Sequence, residues 1–275
     1  MNAGPLGEAM DGVSRLVVLS PHLDDAVLSC GALLNYARKH TPVTVATFFT
    51  EAGTPPYTLS ARAYLHQVGA QDADSIYLAR RAEDQAVLES IAISYLHAGF
   101  KEALFRHRRR PLLHWLPWAG QLVPELANIY PTYRLHVIRG RMSRHDDGTL
   151  RRLTDVIRHL SLQSSTLFLA PLAIGGHVDH ILVRTAAELS ATRVAYYSDF
   201  PYNIRSQADT HFIERNALVP VTWTGDLAAK LTLIRGYRSQ VNSLFPGGQI
   251  PLVPEVYLVP KHQGSQRRHR TSLDV

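Results

Sequence analysis

Short, almost uninterrupted apolar runs alternate along this chain with longer stretches whose apolar positions recur every three or four residues. That alternation predicts βαβ units. Strands are predicted at 15–19, 43–49, 91–97, 166–170 and 194–198, and helices at about 25–39, 74–90, 147–161, 178–190 and 225–238. Crossovers of this kind imply an α/β fold, a Rossmann-like, mostly parallel sheet with helices on both faces. Phe212-Ile213 and Ala217 to Trp223 read as additional strands, and Glu255 to Val259 as a last edge strand. Between about 101 and 140 the chain is rich in Pro, aromatic and basic residues and follows neither period. This stretch is read as an insertion over the active-site face, the alternative being a small subdomain packed elsewhere. The domain plan is then a flexible N-terminal tail at 1–14, one domain at 15–260 and a basic tail at 261–275.

Two turns carry candidate chemistry. Ser20-Pro21-His22-Leu23-Asp24-Asp25 follows the run Leu16 to Leu19 and opens a helix, while Gly175-Gly176-His177-Val178-Asp179-His180 follows Thr166 to Ala170 and opens another. An imidazole and two carboxylates on one tight turn offer a nitrogen ligand, an oxygen ligand and a spare base, the set a catalytic zinc requires. Each half also has a plain reading. Asp24 or Asp25 would serve as a helix N-cap, His22 as a loop histidine satisfied by backbone, and His177 and His180 as a chance i, i+3 pair in a chain with 14 histidines. Together the two turns fall where open α/β sheets bind ligands, beyond the carboxyl ends of strands, and this favours a site.

Composition narrows the class. With 275 residues, 45% hydrophobic and 19% charged, the chain can bury a sizeable core and is unlike disordered sequences. The lone Cys30 excludes an internal disulfide framework and Cys-rich zinc modules; its apolar neighbours place it in the core. Met1 to Gly12 lacks a signal peptide's basic start and apolar centre, and no apolar stretch is long enough to span a bilayer, so the expected location is cytoplasmic. Net charge is +6. The excess gathers in Arg106-His107-Arg108-Arg109-Arg110 and in the tail from Lys261 to Arg270. No helix-turn-helix, zinc-finger or RNA-binding pattern accompanies either cluster, so specific nucleic-acid binding is not expected. The tail reads as solvated. The first cluster, followed by Trp115, Pro117 and Trp118, reads either as a subsite for an anionic or glycosylated substrate or as a surface loop.

The Pro-His-x-Asp-Asp turn with a later His-x-Asp-His resembles the PIG-L/LmbE-like zinc N-deacetylases, which remove acetyl groups from N-acetylglucosaminyl compounds. Arg80-Arg81-Ala82-Glu83-Asp84, Tyr95 to Phe100, Tyr196 to Tyr202, and Tyr237-Arg238-Ser239-Gln240 with Leu244-Phe245 look like that family's later landmarks, in order. The likeness covers about residues 15 to 259. One departure is Ala26, where many members carry Glu. The resemblance implies that His22, Asp25 and His180 hold Zn2+, that Asp24 is the general base, that His177 stabilises the oxyanion, and that Asp179 orients and charges His177. It leaves the proton donor to the leaving amine open between Asp24 and His177. Arg80, Arg81 and Asp199 are candidates for holding substrate, or else for ion pairs. The implied activity is zinc-dependent hydrolysis, by a metal-activated water, of the N-acetyl group of an amino sugar or glycoside. The alternatives are an amidase acting on a larger acyl group or thiol conjugate and, from another class, a basic nucleic-acid-binding protein. The sequence leaves oligomeric state open.

Overall fold

The computed structural model describes residues 7, 10–108, 123–162, 165–191 and 193–261. Arg109, Arg110, Trp115, Pro117, Trp118, most of the N-terminal tail and the basic tail after Lys261 lie outside the described residues. Among the described residues seven strands form one sheet: β1 Arg15–Ser20, β2 Val43–Glu51, β3 Ser94–Lys101, β4 Thr166–Pro171, β5 Val194–Tyr197, β6 Leu218–Trp223 and β7 Glu255–Pro260. Their order is β3-β2-β1-β4-β5-β7-β6. The first five are parallel, while β7 runs antiparallel to both β5 and β6.

The central strands are continuous apolar runs because both of their faces are covered. Along β1, Val17 and Leu19 join the core on one face while Leu16 and Val18 join the core on the other, all four without exposure. Helix α1 (Asp25–Ala37) packs on the second face together with Val87 and Leu88 at the end of α3 (Ala73–Ser90) and Ile234 of α7 (Leu227–Ile234). The first face is covered by α2 (Leu59–Gln67), the start of α3, α4 (Asp147–Ser161) and α5 (Val178–Ser190). Cys30 is fully buried in the α1 core.

Four departures from the predicted elements have identifiable causes. The third strand starts at Ser94 rather than 91, because Ala92 adopts φ 51° in a turn that tucks Ile91 and Ile93 into the core before pairing begins. Phe212-Ile213 belongs to a short helix, α6 (Thr210–Arg215), whose first turn is held by the Phe212 N–H donating to Asp209 Oδ1 at 3.0 Å. The predicted edge strand at 255–259 is interior, since β6 pairs on its outer side. The predicted helix at 225–238 stops early, at Ile234 of α7, because the chain turns at Gly236, where a Cβ would meet Val87 Cγ2 at 2.3 Å, and a further helix, α8 (Arg238–Leu244), begins where the predicted one was to end. Helix α2 escaped the pattern altogether: it buries only Ala61 and Leu65, too few positions to register a period.

Candidate active site at the end of β1 and β4

The two turns leave neighbouring parallel strands, from which the chain continues toward β2 on one side and β5 on the other. This is the topological switch point of the sheet. After β1, Ser20 Oγ donates to the His22 carbonyl at 2.7 Å and accepts the Ala26 N–H at 3.0 Å, so one hydroxyl fixes the bend. Asp24 stands at the N-cap of α1 but makes no capping bond. Its carboxylate faces the cleft instead, buried to 6% exposure. Asp25 turns back, its Oδ2 accepting the His22 N–H at 2.8 Å. After β4, Gly176 at φ 69° needs glycine twice over, for the left-handed backbone and because a Cβ would sit 3.1 Å from the Ile138 carbonyl.

Asp25 Oδ2 lies 3.1 Å from His22 Nδ1 and 3.3 Å from His180 Nε2. Ligands about 2.0–2.1 Å from a tetrahedral ion sit about 3.3 Å apart, so three donor atoms already have the spacing of one coordination sphere. The far side of each imidazole is held by a carboxylate. His22 Nε2 meets Asp179 Oδ2 at 3.3 Å, and His180 Nδ1 meets Asp199 Oδ1 at 2.7 Å. Such outer partners fix the tautomer and the ring plane of metal-binding histidines. His177 is the third imidazole of the cluster: nitrogen atoms of His22, His177 and His180 fall within 4.8 Å of one another. The donor set fits a divalent cation.

The charges agree with that fit. Burial works against a proton on His22, yet hydrogen bonds to Asp179 and Asp25 hold its pKa well above the ordinary value. His180 is likewise pushed up, to about 9, as Asp25 and Asp199 outweigh burial. Burial and the neighbouring His22 depress His177, leaving it neutral. Because His177 Nδ1 accepts the Asp179 backbone N–H at 3.2 Å, the ring's single proton sits on Nε2. Asp24 rises to about 7, chiefly through burial and then through the charge of Asp25.

A cation held by His180 would have to displace the proton that this ring carries below about pH 9. Metal affinity, followed by chelator competition at constant ionic strength, should climb with pH across the neutral range, by about tenfold per pH unit for each proton displaced. Affinity independent of pH between 6 and 8 would contradict these proton positions.

Residues 17–190 match the family described as PIG-L, GlcNAc-PI de-N-acetylase. The chain belongs to the PIG-L family. A 2'-N-acetylparomamine deacetylase of Streptomyces fradiae is 27% identical over 208 residues, 73% of this chain and 61% of that protein, so the chain spans under two thirds of that relative's length. The zinc-inhibited form of a teicoplanin deacetylase superposes with a TM-score of 0.67 at 25% identity, covering 89% of this chain and 97% of that one. The A40926 pseudoaglycone deacetylase superposes with a TM-score of 0.66 at 24% identity over 90% and 96% of the two chains, a likeness of fold.

In this PIG-L chain the scattered landmarks converge on the wall of the site. Glu83 accepts both the backbone N–H and the hydroxyl of Ser239, at 3.0 and 2.6 Å. Asp84 takes hydrogen bonds from Tyr237 and His97 at 2.7 and 2.8 Å. Gln240 Nε2 donates to the carbonyl of Leu23, next to Asp24, at 2.9 Å. Four expectations are corrected. Asp179 does orient His177 through its backbone N–H and acts on it through its charge, but its carboxylate bonds to His22 and not to His177. Arg81 reaches the Thr50 carbonyl at 2.7 Å and stays out of the cleft, because the helix turns it toward β2. Asp199, 1% exposed, is committed to His180 and the Ile174 N–H, so it positions that imidazole and is not free to hold a substrate. Arg106 is buried in ion pairs with Asp146 and Asp179 and is withdrawn from any surface subsite. Arg80 does line the cleft, with its guanidinium 3.5 Å from Glu102 and 3.2 Å from the Tyr64 hydroxyl.

The cleft encloses about 410 Å³. Tyr64, Glu102, Tyr133 and Tyr202, none given a role by the sequence pattern, also line it. Glu102 follows β3 directly, and the carboxyl end of a sheet strand is the one signal that would have flagged it. No helix among the described residues is long and apolar enough to cross a membrane.

Proposed function

We propose that this chain is a zinc-dependent N-deacetylase acting on an amino sugar or its glycoside, with His22, Asp25 and His180 as ligands. The observation that carries the reading is the single carboxylate oxygen, Asp25 Oδ2, spaced as a ligand from two imidazoles whose outer nitrogens are tied to acids. A bound divalent ion would supply Lewis acidity toward water and the acyl oxygen. The chain supplies the rest. Asp24, with a pKa near neutrality, accepts the proton as water adds to the acyl carbon. His177 Nε2–H points its neutral donor at the oxyanion of the tetrahedral adduct. When the C–N bond breaks, Asp24 returns the proton to the amine, giving free amine and acetate. His177, short of a second proton, suits the donor role better than that of general acid. Tyr133 and Tyr202 offer faces on which a sugar ring can stack, and Arg80 with Glu102 offers hydrogen bonds to hydroxyls. The buried, lone Cys30 suits the cytoplasm.

A second reading, an amidase for longer acyl groups, draws on the apolar wall formed by Ala63, Val68, Ile76, Leu104 and Leu244. One panel tests both. The zinc-loaded protein is incubated with N-acetylglucosaminyl glycosides, nucleotide sugars, aminoglycoside precursors and matched N-octanoyl glucosaminides, and free amine and carboxylate are measured. Equimolar amine and acetate from an N-acetyl substrate is expected. A preference for the octanoyl series would establish the amidase reading, and no amine from any member would overturn both. Because one solved neighbour, a teicoplanin deacetylase, has a zinc-inhibited form, the panel is run at one zinc per chain and in zinc excess.

A further inference from the structure

Among the described members of the mid-chain basic cluster, Arg106 is the one sealed inside the protein, at 6% exposure. Its Nη1 lies 2.8 Å from Asp179 Oδ1, and its Nε and Nη2 lie 2.9 and 3.1 Å from the two oxygens of Asp146. The guanidinium carbon lies over two aromatic rings, 5.0 Å from the centre of Phe49 and 5.3 Å from that of Tyr130. Tyr130 in turn donates its hydroxyl to Asp146 at 2.6 Å and accepts the Ser143 N–H at 2.9 Å. Nothing in this arrangement is aimed at solvent or at the cleft.

The position of these residues in the chain matters as much as their charges. Arg106 stands where the chain enters the excursion after β3, and Asp146 stands where it leaves for α4. The entry is further paired with 127–129, through Arg108 N–H to the Ala127 carbonyl at 2.7 Å and Ile129 N–H to the Arg106 carbonyl at 2.9 Å. One guanidinium thus fastens both ends of the excursion to Asp179, and Asp179 divides its oxygens. Oδ1 faces Arg106, while Oδ2 accepts the Ala103 N–H at 2.9 Å and faces His22 Nε2.

We infer that Arg106 is a positioning residue for the metal centre, clamping the Asp179 carboxylate in the rotamer that holds the His22 ring and so tying metal affinity to the closed base of the excursion. The inference rests on the ligand set proposed above. Two carboxylates and two aromatic faces around one cation call for a planar fork that can address several acceptors at once; an ammonium of the same charge reaches fewer. Loss of the fork leaves Asp179 Oδ1 without its cation and its rotamer held through Oδ2 only, by the Ala103 N–H and the His22 ring.

The test is metal affinity by chelator competition, which needs neither substrate nor turnover. Outer-shell partners of metal histidines are worth about 10- to 100-fold in affinity, and Arg106→Lys should cost an amount in that range in protein whose circular dichroism is native. Tyr130→Phe, which removes one hydroxyl from the Asp146 end, keeps the fold if Arg106→Lys does not and should weaken binding a few-fold. In an Asp179→Asn background the further loss from either substitution should vanish, because both act through that carboxylate. A purely structural ion pair would lower the melting temperature in each variant and leave affinity untouched. Wild-type affinity in both folded variants, or full additivity with Asp179→Asn, would overturn the inference. Wild-type protein that binds no divalent cation would overturn the ligand set as well.

Discussion

Replacing Asp24 by Asn is expected to leave the metal in place and to cost about 10² to 10⁴ in kcat/KM, the usual worth of a positioned base. The side chain keeps its shape, makes no capping bond that would be lost, and stands beside Asp25 without being one of the atoms spaced as ligands. What disappears is a carboxylate whose pKa, raised to about 7 by burial and by Asp25, suits it to take a proton near neutrality and give it back. The wild-type rate should fall as pH drops below the pKa of Asp24, which a bound cation would lower, and that acidic limb should vanish in the variant. Stability moves the other way. A carboxyl whose folded pKa lies above its unfolded value destabilises the fold as pH rises through the folded pKa, so metal-free Asp24→Asn at pH 8 should melt no lower than wild type. A variant with wild-type kcat/KM, or one that loses metal, would remove Asp24 from the role of base.

The central sheet and both chemical turns were legible because each is local. A parallel strand buried on two faces is a continuous apolar run, as in Leu16 to Leu19, and His-x-Asp-Asp or His-x-Asp-His places its donors within a single turn. The links between turns were not legible. The Asp179 carboxylate lies 3.3 Å from the His22 ring but 157 positions away in the chain, and the pattern around it pointed to its near neighbour His177. Asp199 and Arg106 suffered the same error: a charged residue beside a motif reads as substrate contact, whereas only the fold shows that His180 and Asp179 have already taken them. Tyr133 and Tyr202 reach the cleft from irregular segments that carry no period to read. Helix α2 was missed for a related reason, since it caps itself through Thr58 and covers the cleft more than it fills the core.

Alanine at His22, Asp25 or His180 is expected to empty the site, and alanine at His177 to leave it filled while activity is lost. The geometry offers two overlapping donor sets, the three imidazoles and the pair of imidazoles with Asp25. Three features favour the carboxylate. Asp25 Oδ2 is within 3.3 Å of both His22 and His180, each of those rings is braced from behind by an acid, and His177 has spent Nδ1 on a backbone N–H and carries no acid behind its ring. Removing Asp25 also strips the cluster of the charge that most favours a cation between the two rings, so its loss should exceed the roughly 10- to 100-fold expected for an outer partner such as Asp199→Asn. Measured metal content per folded chain, beside kcat/KM, separates the cases. Metal retained in Asp25→Ala but lost in His177→Ala would make the three imidazoles the ligand set and return Asp25 to bracing the turn through the His22 N–H. Metal retained with full activity in His180→Ala would remove the centre from this end of the sheet altogether.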